Sequence, residues 1–552
     1  MQSNKKRFMA MSAAVLSAGL LLAGCGSTSS NGGSNGSASG STGSDSVITI
    51  ANGEPQNPLV PGNTNETTGG NVIDMLFSGL VGFKPDGTPV NEVADKITPN
   101  ADNTKFDITL KSGWKFSDGS AVTSESFTKA WSYTANAKNG QLNSSFFSVI
   151  KGYEDLQKDG LKGDEQLSGL TVTDDTHFSV ELNESNAVFP VILGYSGYYP
   201  LPESFYKDPK AFGESPIGNG PYKFKSWKHN ADIILEKNDD YPGAFKAKNA
   251  GLDFKVYTSN DSSYADVQSG NLDVSSNVPA TALKTFQKNS KVNSYSKAGS
   301  GTATFTIPQS LEHFSGEEGT LRRQAISMAI DREQITEKVL SGTATPAKDF
   351  TSPMTAGYSD SLKGNENLTY NPDKAKELWA KADAISKFTG TFTIAYNTDG
   401  GTKPLYDAIT NQLKNTLGID ATTNPVPTFQ EFRAAITDRT MKSAFRGGWQ
   451  ADYPSIENYL KPIYSSSAAD GKGSNDGDYK NPAFDNLLNE AAKASDLDAA
   501  NKLYQQAEEI LLNDLPAIPL YNSNANGVYA KGVKNVEPNW KGVPVFYEIT
   551  KE

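Results

Sequence analysis

Apolar positions along the chain switch between period two and period 3.6, and the switches predict its elements. Alternation over residues 47–51 and 106–110 predicts two strands, the second followed by a turn at Gly113. Residues 178–182 and 253–257 read as further strands, and 222–227 with 233–236 as a hairpin. Between them, Ser117-Asp118-Gly119 forms a turn, and Thr123 opens a helix with Phe127, Ala130 and Trp131 on one face. The later half is more helical. Leu321, Ala325 and Met328 stripe residues 321–330. Asp331, with Gln334 three residues on, predicts a capping box for a helix running to Leu340. Asn371-Pro372 and Asn481-Pro482 each place a cap before a proline. The first leads into Ala375, Leu378, Trp379 and Ala382, and the second runs through Ala491. Leu503, Ala507, Ile510 and Leu511 stripe the last long helix. These stripes are core faces and call for no cofactor. No internal repeat is present, and the fold class is α/β.

The N-terminus breaks the pattern. A basic cluster (Lys5, Lys6, Arg7) precedes an apolar run from Met9 to Ala23, shorter than the roughly 20 residues a membrane helix needs. This predicts a signal peptide over residues 1–24. Cys25 is the chain's one cysteine, so no internal disulfide forms. Leu22-Ala23-Gly24-Cys25 resembles the bacterial lipobox, which implies cleavage before Cys25 and lipidation of its thiol. An ordinary cleaved signal with an incidental cysteine is the alternative. One acyl chain alone anchors reversibly, and the resemblance implies more than one. Residues 25–46 then form a Gly/Ser-rich linker, expected to be disordered, with a root-mean-square span of roughly 25 Å.

Charge narrows the partners. The net charge of −12 becomes −15 once the three basic leader residues are removed, which argues against nucleic acid and anionic lipid. His177, His229 and His313 are scattered, and no HExxH, phosphate-binding loop, GxSxG or EF-hand loop occurs. Asp470 to Asp478 has the look of a calcium loop, but its spacing fails and Lys472 stands at a ligand position, so it reads as a surface loop. These absences count against an enzyme.

Five motifs in order carry a family resemblance. They are Ile108-Thr-Leu-Lys-Ser-Gly113-Trp114-Lys115-Phe116-Ser117-Asp118-Gly119 through Trp131; Gly218-Asn219-Gly220-Pro221-Tyr222; Arg323-Gln324-Ala325 with Ala329-Ile330-Asp331-Arg332; Tyr370 to Ala375; and Ile518-Pro519-Leu520-Tyr521. Together they resemble the family 5 extracellular solute-binding proteins, the oligopeptide and dipeptide receptors of ABC importers. The resemblance implies a two-lobed, type II periplasmic-binding-protein-like fold (a Venus flytrap) with an inserted subdomain. Lobe one would comprise 47–78, 213–303 and 521–552, the inserted subdomain 79–212, and lobe two 304–520. Hinge crossings fall near 302–306 and 520–524. It also implies a monomer held by its lipid at the outer face of the cytoplasmic membrane, no cofactor, a short peptide ligand, and a permease with its ATPase as partners.

The segment Arg446-Gly447-Gly448-Trp449-Gln450-Ala451-Asp452-Tyr453 resembles the family's pocket strand, whose aspartate holds the peptide α-ammonium. The chemistry is coherent. Peptides of any sequence share only a backbone and two charged ends, and a sequestered carboxylate facing an ammonium makes a charge-assisted hydrogen bond. On this basis Asp452 meets the ammonium, Arg446 the carboxylate, and Trp449 and Tyr453 the chain between. The residues alone leave open a capping role for Asp452, an internal ion pair for Arg446 and a core position for Trp449. After Tyr453 the segment departs from the family pattern, with Pro454-Ser455-Ile456-Glu457 in place of an acidic residue and proline. By position, Asn65, Glu66 and Thr67, and Asn143 with Phe146, match pocket walls. The alternative ligand classes in this fold are an oligosaccharide or a metal complex, the latter disfavoured by scarce histidine.

Overall fold

The computed structural model describes residues 45–552. The leader, Cys25 and nearly all of the 25–46 linker lie outside the described residues.

The architecture is organised by two long antiparallel strands, Asn293–Thr306 and Ala517–Tyr529. They run through an 11-stranded sheet and serve both of its wings. On one side Ala517–Tyr529 pairs with Val274–Ser275, which leads to Val47–Asn52, Gly251–Val256, Asp232–Lys237 and Tyr222–Lys228. On the other side Asn293–Thr306 pairs with Ala444–Gln450, which leads to Phe392–Asn397 and Ala421–Val426. The two long strands slip in register where they pass between the wings. Ala298 faces Asn524 and Thr302 faces Asn522, so Gly299, Ser300 and Gly301 share one opposing residue, Ser523. The irregularity starts a few residues earlier than the 302–306 crossing expected from sequence, and on the other strand it falls within 520–524.

A separate four-stranded antiparallel sheet is built from Ala94–Pro99, Lys105–Leu110, His177–Glu181 and Leu170–Asp174. Helix Ser124–Ala135 covers it, because Phe127 and Trp131 are fully buried against Phe178. The Trp131 indole donates to the Tyr198 carbonyl at 2.8 Å. The Gly113–Gly119 motif is tied to the Gly218-x-Gly220 turn by the Ser117 amide, which donates to the Gly218 carbonyl. Both glycines are sterically required: a Cβ at Gly218 or Gly220 lies 1.9 or 2.6 Å from the Leu76 backbone.

The predicted caps form. Asn371 and Asn481 accept from the amides of Lys374 and Phe484, and Asp331 from that of Gln334. The other half of the Asp331 box is relayed. Gln412 accepts from the Asp331 amide and donates to the Gln334 side chain. The preceding helix, Gly316–Met328, starts five residues earlier than its apolar stripe. Arg323 and Arg332 of the sequence motif are buried and saturated by carbonyls, those of Phe314 and Asp514 for the first and of Ser327, Leu368 and Pro519 for the second. Loop 470–478 is a tethered loop, with Asp476 and Asp478 each in a forked pair, to Arg433 and Arg439.

The small sheet also touches the far wing. Asn103, in the left-handed region at φ 56°, donates to the carbonyls of Ala492 and Ala494 at the end of helix Pro482–Ala492, and the Ala187 amide donates to Ala492 as well. Lys461 and Glu184 close the contact with an ion pair at 2.7 Å.

Candidate functional site

Strand Ala444–Gln450 is paired on one side along its length and on the other only at its start. Thr306 back to Gly301 face Phe445 to Gln450, whereas Phe392–Asn397 reaches only Ala444 and Phe445. From Arg446 to Gln450 the outer edge therefore carries backbone donors and acceptors with no strand beside them, an arrangement to which an extended chain can add. Two glycines keep this stretch slim. A Cβ at Gly447 meets the Thr304 hydroxyl at 2.7 Å, and one at Gly448 meets the Thr302 carbonyl at 2.7 Å.

A cavity of about 500 Å³ opens along this edge. Its walls include Arg446, Trp449, Phe429, Tyr406 and Tyr521. The buried Thr402 hydroxyl also lines it and finds no partner. Arg446 makes no ion pair among the described residues; its guanidinium sits 6.0 Å from the Phe429 ring centre. The internal ion pair that the sequence left open for Arg446 is thus absent here. A second cavity, about 600 Å³, lies beside the Lys461–Glu184 contact, lined by Glu184, Glu457, Lys461 and Asp485. The strand 444–450 contributes nothing to it.

Asp452 stands two residues past the free edge, half-buried. The short helix Ile456–Tyr464 follows and fixes it. Asn458, 3% exposed, accepts from the Asp452 amide at 3.0 Å and from the Trp449 indole at 3.0 Å, and donates to the Asp452 carboxylate at 3.3 Å. The helix cap itself is Ser455, which accepts from the Glu457 amide, so the capping role open to Asp452 goes to its neighbour. Burial pushes the Asp452 carboxyl up, and the Asn458 bond only partly offsets this. No cation is paired with it among the described residues. Tyr453 is buried, and its hydroxyl donates to the buried Glu457 at 2.7 Å, so it supports the corner from behind.

Across from this corner lies the region after the Trp131 helix. The Tyr195 ring stacks on Phe146 at 4.1 Å, and its hydroxyl donates to Asn143 at 3.1 Å. Burial raises the Tyr195 phenol, and the charges of Asp452 and Asp74 raise it further. Asn143 is buried and donates to the carbonyls of Pro61 and Thr64, so it holds the loop and the tyrosine rather than presenting free polar atoms. Glu66 caps helix Thr67–Leu76, accepting from the Gly69 amide and the Thr68 hydroxyl. Asn65 and Thr67 are exposed. None of these three lines the 500 Å³ cavity.

Sequence reasoning missed Asn458, Tyr195 and Trp540. Trp540, 2% exposed, packs with Ala451 and Tyr459 beside Asp452 and meets Phe83 edge-on at 5.6 Å. The aromatic run Tyr195-Ser-Gly-Tyr198-Tyr199 was a signal for the second; no pattern marks the other two.

The sequence profile described as bacterial extracellular solute-binding proteins, family 5 Middle, matches residues 88–471. The chain is 27% identical over 494 residues to the oligopeptide-binding protein OppA of Bacillus subtilis, covering 87% of this chain and 88% of that protein. It is 27% identical over 525 residues to the dipeptide-binding protein DppE of the same organism, covering 93% and 94%. Among solved structures, the unliganded open form of the murein tripeptide-binding protein MppA superposes with a TM-score of 0.81 at 22% identity, over 92% of this chain and 97% of that one. AppA of Bacillus subtilis in complex with a nonapeptide superposes with a TM-score of 0.65 at 22% identity, over 92% and 99%.

Proposed function

Because the chain belongs to the bacterial extracellular solute-binding proteins of family 5, we propose that it captures short peptides in extended form and delivers them to an importer. The observation that carries this reading is the unpaired strand edge Arg446–Gln450 beside a cavity, with Asp452 just beyond one end and the unpaired Arg446 at the other. A peptide offers that edge its own backbone groups, independent of side chains. Fully extended, the chain from Arg446 to Asp452 spans at most roughly 20 Å, close to the length of a five- or six-residue strand. The ammonium enters as the cation that the half-buried Asp452 carboxylate lacks among the described residues. Side chains project into a wall of aromatic rings and hydroxyls, where bridging water tolerates variety.

The lobes, taken with the boundaries given above, close about the register slip at 299–301 and 523. The energy for transport comes from a partner ATPase acting through a permease. Lipidation at Cys25 and the 25–46 linker hold the protein, as a monomer, at the outer face of the membrane within reach of that permease. Among the described residues no helix is long and apolar enough to cross a membrane. No cluster of three or more His, Cys, Asp or Glu side chains there is arranged to hold a metal ion.

Calorimetry with a free pentapeptide, its N-acetyl form, an oligosaccharide and a nickel complex tests the reading. Tight binding of the free peptide and a large loss on acetylation are expected. Equal affinity for both peptides overturns the role of Asp452, and tight binding of only the sugar or the metal complex overturns the ligand class.

A further inference from the structure

We propose that Asn458 is the positioning residue of the ammonium corner: it aims the Asp452 carboxylate and locks the Trp449 ring with one amide group. This rests on the reading of Asp452 as the ammonium partner. An amide side chain has one oxygen that accepts and one nitrogen that donates. Here the oxygen takes two N–H groups, the Trp449 indole and the Asp452 backbone, each at 3.0 Å. The nitrogen donates to one carboxylate oxygen of Asp452 at 3.3 Å. Indole, backbone and carboxylate lie on successive parts of the segment that leaves the strand edge, so one buried group fixes the end of the strand and the charge beyond it.

The chemistry of the three bonds sorts the possible residues. A carboxylate at 458 supplies the acceptor but brings a second negative charge within hydrogen-bond distance of the first. A lysine supplies a donor, neutralises Asp452 and leaves both N–H groups stranded. Only a neutral amide serves the indole, the backbone and the carboxylate together while leaving the charge of Asp452 available to a ligand. The helix makes the placement firm. Ser455 caps it, and the next residue, Tyr459, donates its hydroxyl to the Ser300 carbonyl at 2.7 Å inside the register slip. Asn458 therefore sits on a short helix secured at the junction of the two wings.

The test compares the affinity of the full chain for a free and an N-acetyl pentapeptide, taken as a ratio, in the parent, Asn458→Leu, Asp452→Ala and the double variant. Leucine keeps the branching of asparagine, with bulkier ends, and removes the three bonds. Trp449 emission is followed in parallel, with Trp449→Phe identifying its share of the signal. The expected result is a ratio reduced about tenfold or more in Asn458→Leu, a changed Trp449 emission, and no further loss of ratio when Asn458→Leu is added to Asp452→Ala. A parent ratio in Asn458→Leu, alongside a collapsed ratio in Asp452→Ala, overturns the proposal alone; equal weakening of both peptides, the mark of a merely structural residue, does the same. An unchanged ratio in Asp452→Ala overturns the reading beneath it. If Asn458→Leu does not fold, Asn458→Ser is read by the same ratio.

Discussion

Two carboxyl sites in the same wing of this molecule share one electrostatic signature and differ in everything else. Asp452 is half-buried at the end of an open strand edge, with Asn458 donating to it. Asp349 and Glu508, 1% and 0% exposed, face each other beneath helix Leu497–Asp514. The Thr351 hydroxyl donates to one oxygen of Asp349, and neither Asp349 nor Glu508 has a cation beside it among the described residues. Burial raises all three acids, and Asp349 raises Glu508 further. The difference lies in access. Asp452 keeps part of its surface open to solvent, two residues past the strand edge, so on the proposed reading an outside cation can answer its charge. In the sealed pair only a proton can, and two carboxyls in contact cannot both ionise. A raised acid is thus a site where a ligand can reach it and a structural proton store where nothing can.

The sharpest way to break this comparison is to remove the charge that has access. Asp452→Ala is expected to weaken a free-amine peptide by about 3–5 kcal/mol, roughly two to three and a half orders of magnitude, and to leave an acetylated peptide unchanged. In the parent, binding of the free peptide fades as pH falls through the raised value of Asp452, above that of an ordinary aspartate, because the protonated acid no longer attracts the ammonium. Calorimetry over a pH series reads both effects; an Asp452→Ala variant with parent affinity for the free peptide breaks the comparison.

The sealed pair should respond in stability and not in binding. Folded Glu508 holds its proton to higher pH than the unfolded chain does, so the native state binds more protons and stability falls as pH rises from about 4 through the raised folded value. Glu508→Gln replaces the shared proton with a permanent N–H donor to Asp349. It is expected to add roughly 1–2 kcal/mol at neutral pH and to flatten that slope. Thermal melts across pH check it, and parallel curves for parent and variant refute it. Peptide affinity should not move.

The smallest expected effect belongs to Arg446, which lines the cavity and is part-exposed. Arg446→Ala should cost about 1 kcal/mol, near fivefold, for a peptide with a free C-terminal carboxylate and nothing for its amide. Equal losses for both would place Arg446 in the wall rather than at the carboxylate.

Much of the fold was legible because its signals are local. Asn371, Asn481 and Asp331 cap the helices they precede, the alternation over 106–110 became a strand, and 222–227 with 233–236 became a hairpin. The box at Asp331 was read correctly in kind but incompletely, since Gln412 inserts from a helix that lies next to it only after folding. The segment 446–453 was marked out through resemblance. Its supporting partners were not, because a single asparagine or tyrosine in a polar stretch carries no period. Glu66 shows the converse: its place in the sequence marked it for the pocket, while the nearby amide of Gly69 and hydroxyl of Thr68 draw it into a cap.

The chain by itself determined its α/β alternation, the order of its motifs, the glycines at 218 and 220 and the presence of an acid after a glycine-rich strand. These follow from propensity, sterics and local hydrogen bonding within a few residues. Only the tertiary structure decided that the outer edge of 446–450 stays unpaired, that Asn458 grips Asp452, and that Glu508 is sealed while Asp452 is not. The physical reason is that access and burial depend on which distant segments pack together, and residues 349 and 508 hold no record of each other along the chain.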